Sequence, residues 1–257
     1  MKRTSILPFA VALSVLSALP VAGARSFAEI KASGVLRVVS SGDLPPFTRV
    51  DGARMRGYEP ELLEAVASTM GLTVSYRVVP PYELVKELQA DRADVAMGAL
   101  GITSTRENKV DFTTPIACAG VSVASFDPKL KKHTDLVGKT IGVGADSIMQ
   151  SYVQKLPFEK KVTVYATSKE LIYAVISKQV DATFAYSIME PGIKAAFPKA
   201  NISFGPELWR VPIGLMVRED NVTTRTALNG AIAKYLSGNS YAFLSQKYFK
   251  EDVRCRS

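Results

Sequence analysis

Hydrophobic and polar positions along this chain change period repeatedly, and the changes mark short strands separated by helices. Residues 35–40 form a β-branched run ending near Gly42, which predicts a first strand. Pro45-Pro46 forces an extended segment, and Phe47 follows it. Pro60 stands where a first helical turn tolerates proline. Leu62, Leu63, Val66, Ala67 and Met70 then share one helical face, and Gly71 suits the C-terminal cap. Residues 73–79 read as strand, 82–90 as helix and 93–97 as a short buried strand.

The segment 102–112 is rich in turn residues, and after it the pattern restarts. Strands are expected over 140–143, 162–165 and 182–185, with helices over 147–154, 168–178 and 188–195. The helix over 168–178 carries Leu171, Ile172, Val175 and Ile176 as its apolar positions. A third extended run, 212–217, precedes helical stretches over 223–236 and 240–248. This alternation argues an α/β architecture. A chain of 257 residues fits two modest lobes better than one core.

The first residues carry a different pattern. Lys2 and Arg3 precede an apolar run over 6–21, broken only by Pro8, Ser14, Ser17 and Pro20. Ala22-Gly23-Ala24 then places small residues where a signal peptidase reads. The run is short for a bilayer span, so residues 1–24 are expected to be a cleaved secretory signal. The mature chain would start at Arg25, free in the periplasm, and no cysteine stands at the cleavage point to carry a lipid.

Removing Lys2 and Arg3 lowers the formal charge from +8 to +6. The remaining Lys and Arg residues are scattered. Lys129, Lys131, Lys132 and His133 form the one tight cluster, read as a solvated loop before Asp135. Scattered charge and export both argue against a nucleic-acid partner. His133 is the single histidine and has no cysteine pair beside it, which argues against a metal site and a Ser/His/Asp triad. No phosphate loop is present, and no cofactor is expected. Cys118 and Cys255 can pair in an oxidising compartment, or remain one buried and one terminal thiol.

Several short motifs fall in a telling order. Gly34-Val35-Leu36-Arg37-Val38, Pro45-Pro46-Phe47 and Gly57-Tyr58-Glu59 come first. Asp94-Val95-Ala96-Met97, Ile102-Thr103-Ser104-Thr105-Arg106 and Asp111-Phe112-Thr113-Thr114-Pro115 continue the series. The stretch 135–143 and Val180-Asp181-Ala182 complete it. In order and spacing the chain resembles the family-three bacterial extracellular solute-binding proteins, the polar amino-acid receptors of ABC importers. The resemblance implies a type II, two-lobed Venus-flytrap fold with two crossing hinge strands. Lobe one would take residues 25–121 and 213–257, and lobe two 122–212. A monomer would close around its small carboxylate ligand and present the closed form to an inner-membrane ABC permease. A ligand sensor docking on a chemoreceptor or sensor kinase would use the same closed form.

Some proteins similar in fold dehydrate cyclohexadienyl acids such as prephenate, with a glutamate just after the lobe-two aspartate. Here that stretch is Tyr186-Ser187-Ile188-Met189, and Glu190 is displaced by one residue. One residue on a helix turns a side chain by about 100°, so no enzyme activity is expected.

The resemblance also implies the binding residues. Arg106 would grip the ligand carboxylate, since guanidinium is a planar fork matching both oxygens. Such a contact contributes on the order of 1.5–3 kcal/mol; the alternative is a surface arginine paired with Glu107 or Asp111. Ser147 opens a helix after Gly142-Val143-Gly144-Ala145-Asp146, and free N–H groups there attract anions. Its alternative is an ordinary helix cap by Asp146 or Ser147. The same segment lacks the third glycine of a dinucleotide loop. Asp146 stands where the family usually has glycine, beside the expected anion.

The family's usual ammonium-binding aspartate falls on Tyr186, and its small polar helpers fall on Ala99 and Gly101, next to Gly98. All three departures remove acceptors, and an unpaired ammonium in a closed cleft is costly. A ligand that keeps the carboxylate and lacks or masks the α-amino group is one reading. Backbone carbonyls taking over an ordinary amino acid's ammonium is the other. Leu44, Phe47 and Tyr82 are expected in the pocket wall, with Phe47 equally suited to the core. Leu44 replaces a stacking aromatic, and Ser41 would meet the ligand's distal end.

Overall fold

The computed structural model describes residues 23–255. The expected leader therefore lies outside the described residues, apart from Gly23 and Ala24. Ser26 opens α1 (Phe27–Ser33) through a reciprocal capping box with Glu29. Strand β1 (Val35–Ser40) follows, then a small antiparallel sheet of β2 (Asp43–Leu44), β3 (Thr48–Asp51) and β4 (Arg54–Arg56). Helix α2 (Tyr58–Thr69) starts two residues before Pro60, capped by Gly57 at φ 130°. A Cβ at Gly57 would lie 2.3 Å from the Phe47 carbonyl oxygen, so the entry to α2 requires glycine. Next come β5 (Thr73–Val78), a 3-10 turn, α3 (Leu84–Gln89) and β6 (Val95–Met97). The turn-rich segment holds two further elements, α4 (Ser104–Glu107) and β7 (Val110–Phe112).

The next strand, β8 (Ala117–Ser125), has no counterpart in the sequence pattern. Eight of its nine residues are buried, so it lacks the alternation that reveals a half-exposed strand. Then follow β9 (Thr140–Gly144), α5 (Ile148–Lys155), β10 (Lys161–Tyr165), α6 (Ser168–Ile176) and β11 (Ala182–Tyr186). Helix α7 (Glu190–Ala196), β12 (Ser203–Phe204) and β13 (Trp209–Ile213) complete that half. The run expected over 212–217 is two strands in different sheets, because the chain crosses at Gly214-Leu215 into β14 (Met216–Arg218). Helices α8 (Val222–Leu236) and α9 (Asn239–Phe249) end the described elements.

The first sheet has the order β5-β1-β6-β14-β7. Strand β1 runs parallel to β5 and β6, and β14 runs antiparallel to both neighbours. The second sheet has the order β10-β9-β11-β8-β12, with β13 also on β8. The chain passes between the sheets twice, from β7 to β8 and from β13 to β14. The two passes are hydrogen-bonded to each other: Thr113 N donates to Leu215 O at 2.9 Å and Ile116 N to Ile213 O at 2.8 Å. The hydroxyls of Tyr58 and Tyr241 both donate to the Ile116 carbonyl at 2.6 Å, seating one pass on α2 and α9. This is the two-lobed α/β architecture with two crossing strands.

Cys118 and Cys255 are joined by a disulfide, with their Cα atoms 4.8 Å apart. The bridge and a hydrogen bond from Cys118 N to Val253 O, at 2.7 Å, pin the C-terminal tail to the start of β8.

Candidate functional site

The C-terminal ends of β1, β6, β9 and β11 converge on a cleft between the two sheets, where open α/β sheets place ligands. At the end of β6 the backbone turns through Gly98 at φ 148° and Ala99 at φ 52°. A left-handed alanine costs on the order of 1–2 kcal/mol, so something must hold it. The Ala99 amide donates to both carboxylate oxygens of Glu59, at 3.0 and 3.1 Å. Glu59 is fully buried at the second position of α2, where a helix start favours a carboxylate. Burial pushes its carboxyl up to about 7, while the amides of Ala99 and Gly98 pull it back down.

Arg106 sits on α4, whose N-cap Thr103 accepts from the Arg106 amide. Its Nη1 donates to the Gly101 carbonyl at 2.9 Å, and its Nη2 reaches across the cleft to the Asp146 carbonyl at 2.8 Å. Among the described residues Arg106 has no ion-pair partner, and Asp111 pairs instead with Arg225 at 2.9 Å. Burial lowers the guanidinium's pKa, against the pull of Tyr186 and Asp146. Two of five N–H groups are occupied by neutral carbonyls, leaving donors for an anion.

Facing it, β9 ends in a turn where Asp146 has φ 54° and is exposed. The Asp146 amide donates to Gln150 Oε1 at 2.8 Å, so its carbonyl faces Arg106 while the residue lies at the surface. The Ser147 hydroxyl donates to Gly144 O at 2.7 Å and accepts from the Gln150 amide at 3.0 Å. It caps α5 and lines the cavity at once. The Tyr186 hydroxyl donates to the Ala99 carbonyl at 3.1 Å, and burial raises its pKa. A third link across the cleft runs from the Ser168 amide to Asp43 Oδ2 at 2.8 Å.

Ser41, Leu44, Gly98, Ala99, Arg106, Ser147 and Tyr186 line one cavity enclosing about 180 Å³. Three expected contacts lie elsewhere. Phe47 is fully buried, its ring 5.9 Å from Tyr186 and 5.0 Å from Phe249, because the turn after Pro46 aims it into the core. Tyr82 is 48 % exposed on the lip of an adjoining outer crevice. Gly101 is outside the lining but holds Arg106, and a Cβ there would meet Val211 at 2.8 Å and Ile148 at 3.1 Å. The sequence pattern missed Glu59, whose signal was an acid at a helix start, and Asp43, which carried none. It also assigned Leu171, Ile172 and Val175 only to a helix face, whereas all three line the cavity. Glu190 does not line it and pairs with Lys194 at 2.6 Å.

A model of the bacterial extracellular solute-binding proteins, family 3, matches residues 36–251. The probable amino-acid-binding protein YxeM of Bacillus subtilis (strain 168) is 25% identical, over 98% of this chain and 97% of that protein. The L-cystine-binding protein TcyJ of Escherichia coli (strain K12) is 24% identical, over 94% and 95%. Among solved structures, an ancestral arginine-binding protein bound to arginine superposes with a TM-score of 0.79 at 26% identity, covering 84% of this chain and 98% of that one. The ancestral amino acid-binding protein AncCDT-1, a precursor of cyclohexadienyl dehydratase, shares the fold with a TM-score of 0.78 at 23% identity, covering 86% and 98%.

Proposed function

The chain belongs to the bacterial extracellular solute-binding proteins of family 3, and from that premise we propose that it is the periplasmic receptor of an ABC importer. It captures a small carboxylate between its lobes and hands the closed form to an inner-membrane permease. The observation that carries this reading is Arg106, a cleft-facing guanidinium without a carboxylate partner that spans from Gly101 to Asp146. The ligand carboxylate takes its remaining donors, near the first amides of α5. A ligand touching Arg106 on one lobe and α5 on the other favours the closed state, which is what drives closure.

The lobe division follows the two crossings. Their positions, between β7 and β8 and between β13 and β14, support a first boundary a few residues ahead of 121 and a second close to 213. The resemblance to a dehydratase precursor is one of fold, and Glu190 lies outside the cavity, paired with Lys194.

The ligand keeps its carboxylate and lacks a free α-ammonium. YxeM, TcyJ and the ancestral arginine-binding protein are named for amino acids, cystine and arginine. In this chain two backbone carbonyls beside the missing acceptors already accept one bond each, Ala99 O from Tyr186 and Gly101 O from Arg106. An ammonium placed there would share both carbonyls with those donors and would have no carboxylate in the place the family's aspartate takes.

The test is thermal unfolding of refolded, ligand-stripped mature protein with paired L-amino acids and their 2-oxo or 2-hydroxy counterparts. At a hundredfold excess over Kd a ligand adds about 2.7 kcal/mol, a shift of several degrees for this size. Shifts from the deaminated acids alone support the reading, and shifts from L-amino acids alone refute the absence of the ammonium. Silence from every carboxylate refutes the receptor assignment.

A further inference from the structure

The carboxylate clamp occupies one end of the cavity. From there the lining passes into the second lobe, between α6, α7 and the strands β8, β11 and β12, where its side chains also belong to an apolar core cluster of that lobe. Leu171 and Val175 of α6 form one wall, and Met189 and Ile193 a second. Ile202 and Phe204 close the far end. Among the described residues lining the cavity, only Arg106 and Asp146 are charged, and both stand at the clamp. The buried hydroxyl of Thr183, deep in the arm, is turned to the carbonyl of Phe184 at 3.4 Å.

Resting on the carboxylate reading above, we propose that this arm is a hydrocarbon subsite and that the ligand is a small monocarboxylate with an apolar tail. A guanidinium, an ammonium or a second carboxylate would reach Ile202 and Phe204 with no counter-charge and few hydrogen-bond partners, and desolvation would reject it. A branched alkyl or phenyl group leaves no polar atom unpaired there. Burying each further methylene raises affinity about fourfold. The enclosed volume, about 180 Å³, suits a small acid; pockets for drug-sized molecules start near ~300 Å³.

Isothermal titration of ligand-stripped mature protein decides the point, using propanoate, pentanoate, 4-methylpentanoate, 3-phenylpropanoate, glutarate and L-arginine. Affinity is expected to climb about fourfold per methylene from propanoate to pentanoate. Glutarate and L-arginine should bind at least tenfold more weakly than 4-methylpentanoate. Leu171→Trp and, from the opposite wall, Ile193→Phe narrow the arm. Each should weaken 4-methylpentanoate tenfold or more and leave propanoate unchanged, with unfolding curves confirming that the variants fold. Equal losses for both acids, or a flat homologous series, overturn the subsite. Preference for L-arginine or glutarate, abolished by Arg106→Ala, overturns it too while the carboxylate receptor stands. If no acid binds, the receptor assignment falls with it.

Discussion

The hydroxyl of Tyr186 donates to the carbonyl of Ala99 at 3.1 Å, so a side chain of the second sheet occupies an acceptor on the first. The bond serves two ends: it links the lobes and, on the proposed reading, it competes with an ammonium for that carbonyl. Tyr186→Phe should separate them. The variant frees the Ala99 carbonyl, and a hydrogen bond to a charged group is worth on the order of 1.5–3 kcal/mol. L-amino acids should therefore gain roughly tenfold or more relative to their deaminated counterparts. Paired dissociation constants measure this, and an unchanged ratio would show that Tyr186 plays no part in the choice.

Arg106→Ala removes both the expected carboxylate contact and the link to Asp146. Affinity for any carboxylate ligand should fall about 10- to 100-fold. The far-ultraviolet circular dichroism of the ligand-free variant should match the wild type, because the side chain packs at the cleft and not in a core. Undiminished binding refutes the clamp.

Glu59 gives the fold a dependence on pH. Its carboxyl is raised from the ordinary 4.5 to about 7 by burial, so the folded state holds this proton more tightly than the unfolded chain. The stabilising contribution is complete below about pH 4.5 and is lost as pH rises through 7. Glu59→Gln keeps an acceptor for the Ala99 amide and removes the titration. Between those limits the wild type should lose up to about 3 kcal/mol relative to the variant. Urea unfolding of both proteins at a series of pH values provides the comparison, and parallel curves would contradict it.

The disulfide joins residues separated by 137 positions, and closing a loop of that length restricts the unfolded chain strongly. Cys118→Ser and Cys255→Ser should each lower stability by about 2–4 kcal/mol. Reductant should lower the melting temperature of the wild type and leave both variants where they were. A reductant-insensitive wild type would argue that the bridge contributes nothing.

Much of the fold was legible because the elements are short and punctuated. Strand β1 lies where the run 35–40 predicted it, and Gly71 takes a left-handed conformation just past α2. Strand β8 was not legible, since a central strand of small residues, buried on both faces, carries no period of two. Within the site, motif order pointed to Arg106, Ser147 and Tyr186, and the fold brings all three to one cavity. Glu59 stayed hidden because its partners are backbone amides forty residues away, at a turn whose positive φ falls on an alanine. The apolar arm stayed hidden for a related reason. Leu171 and Val175 have the spacing of any core-facing helix and do pack in a core cluster, and only the tertiary arrangement brings them to the cavity lining as well.

One property of the Cys118–Cys255 bridge concerns topology. The backbone from 118 to 255, closed by the sulfur–sulfur bond, forms a covalent ring that contains every helix from α5 to α9. A single protease nick anywhere in that ring opens it without dividing the molecule. The clipped protein runs as one band on a gel until a reducing agent is added, and only then as two. In a compartment that keeps thiols oxidised, no one cut in the second lobe can release a fragment of this protein.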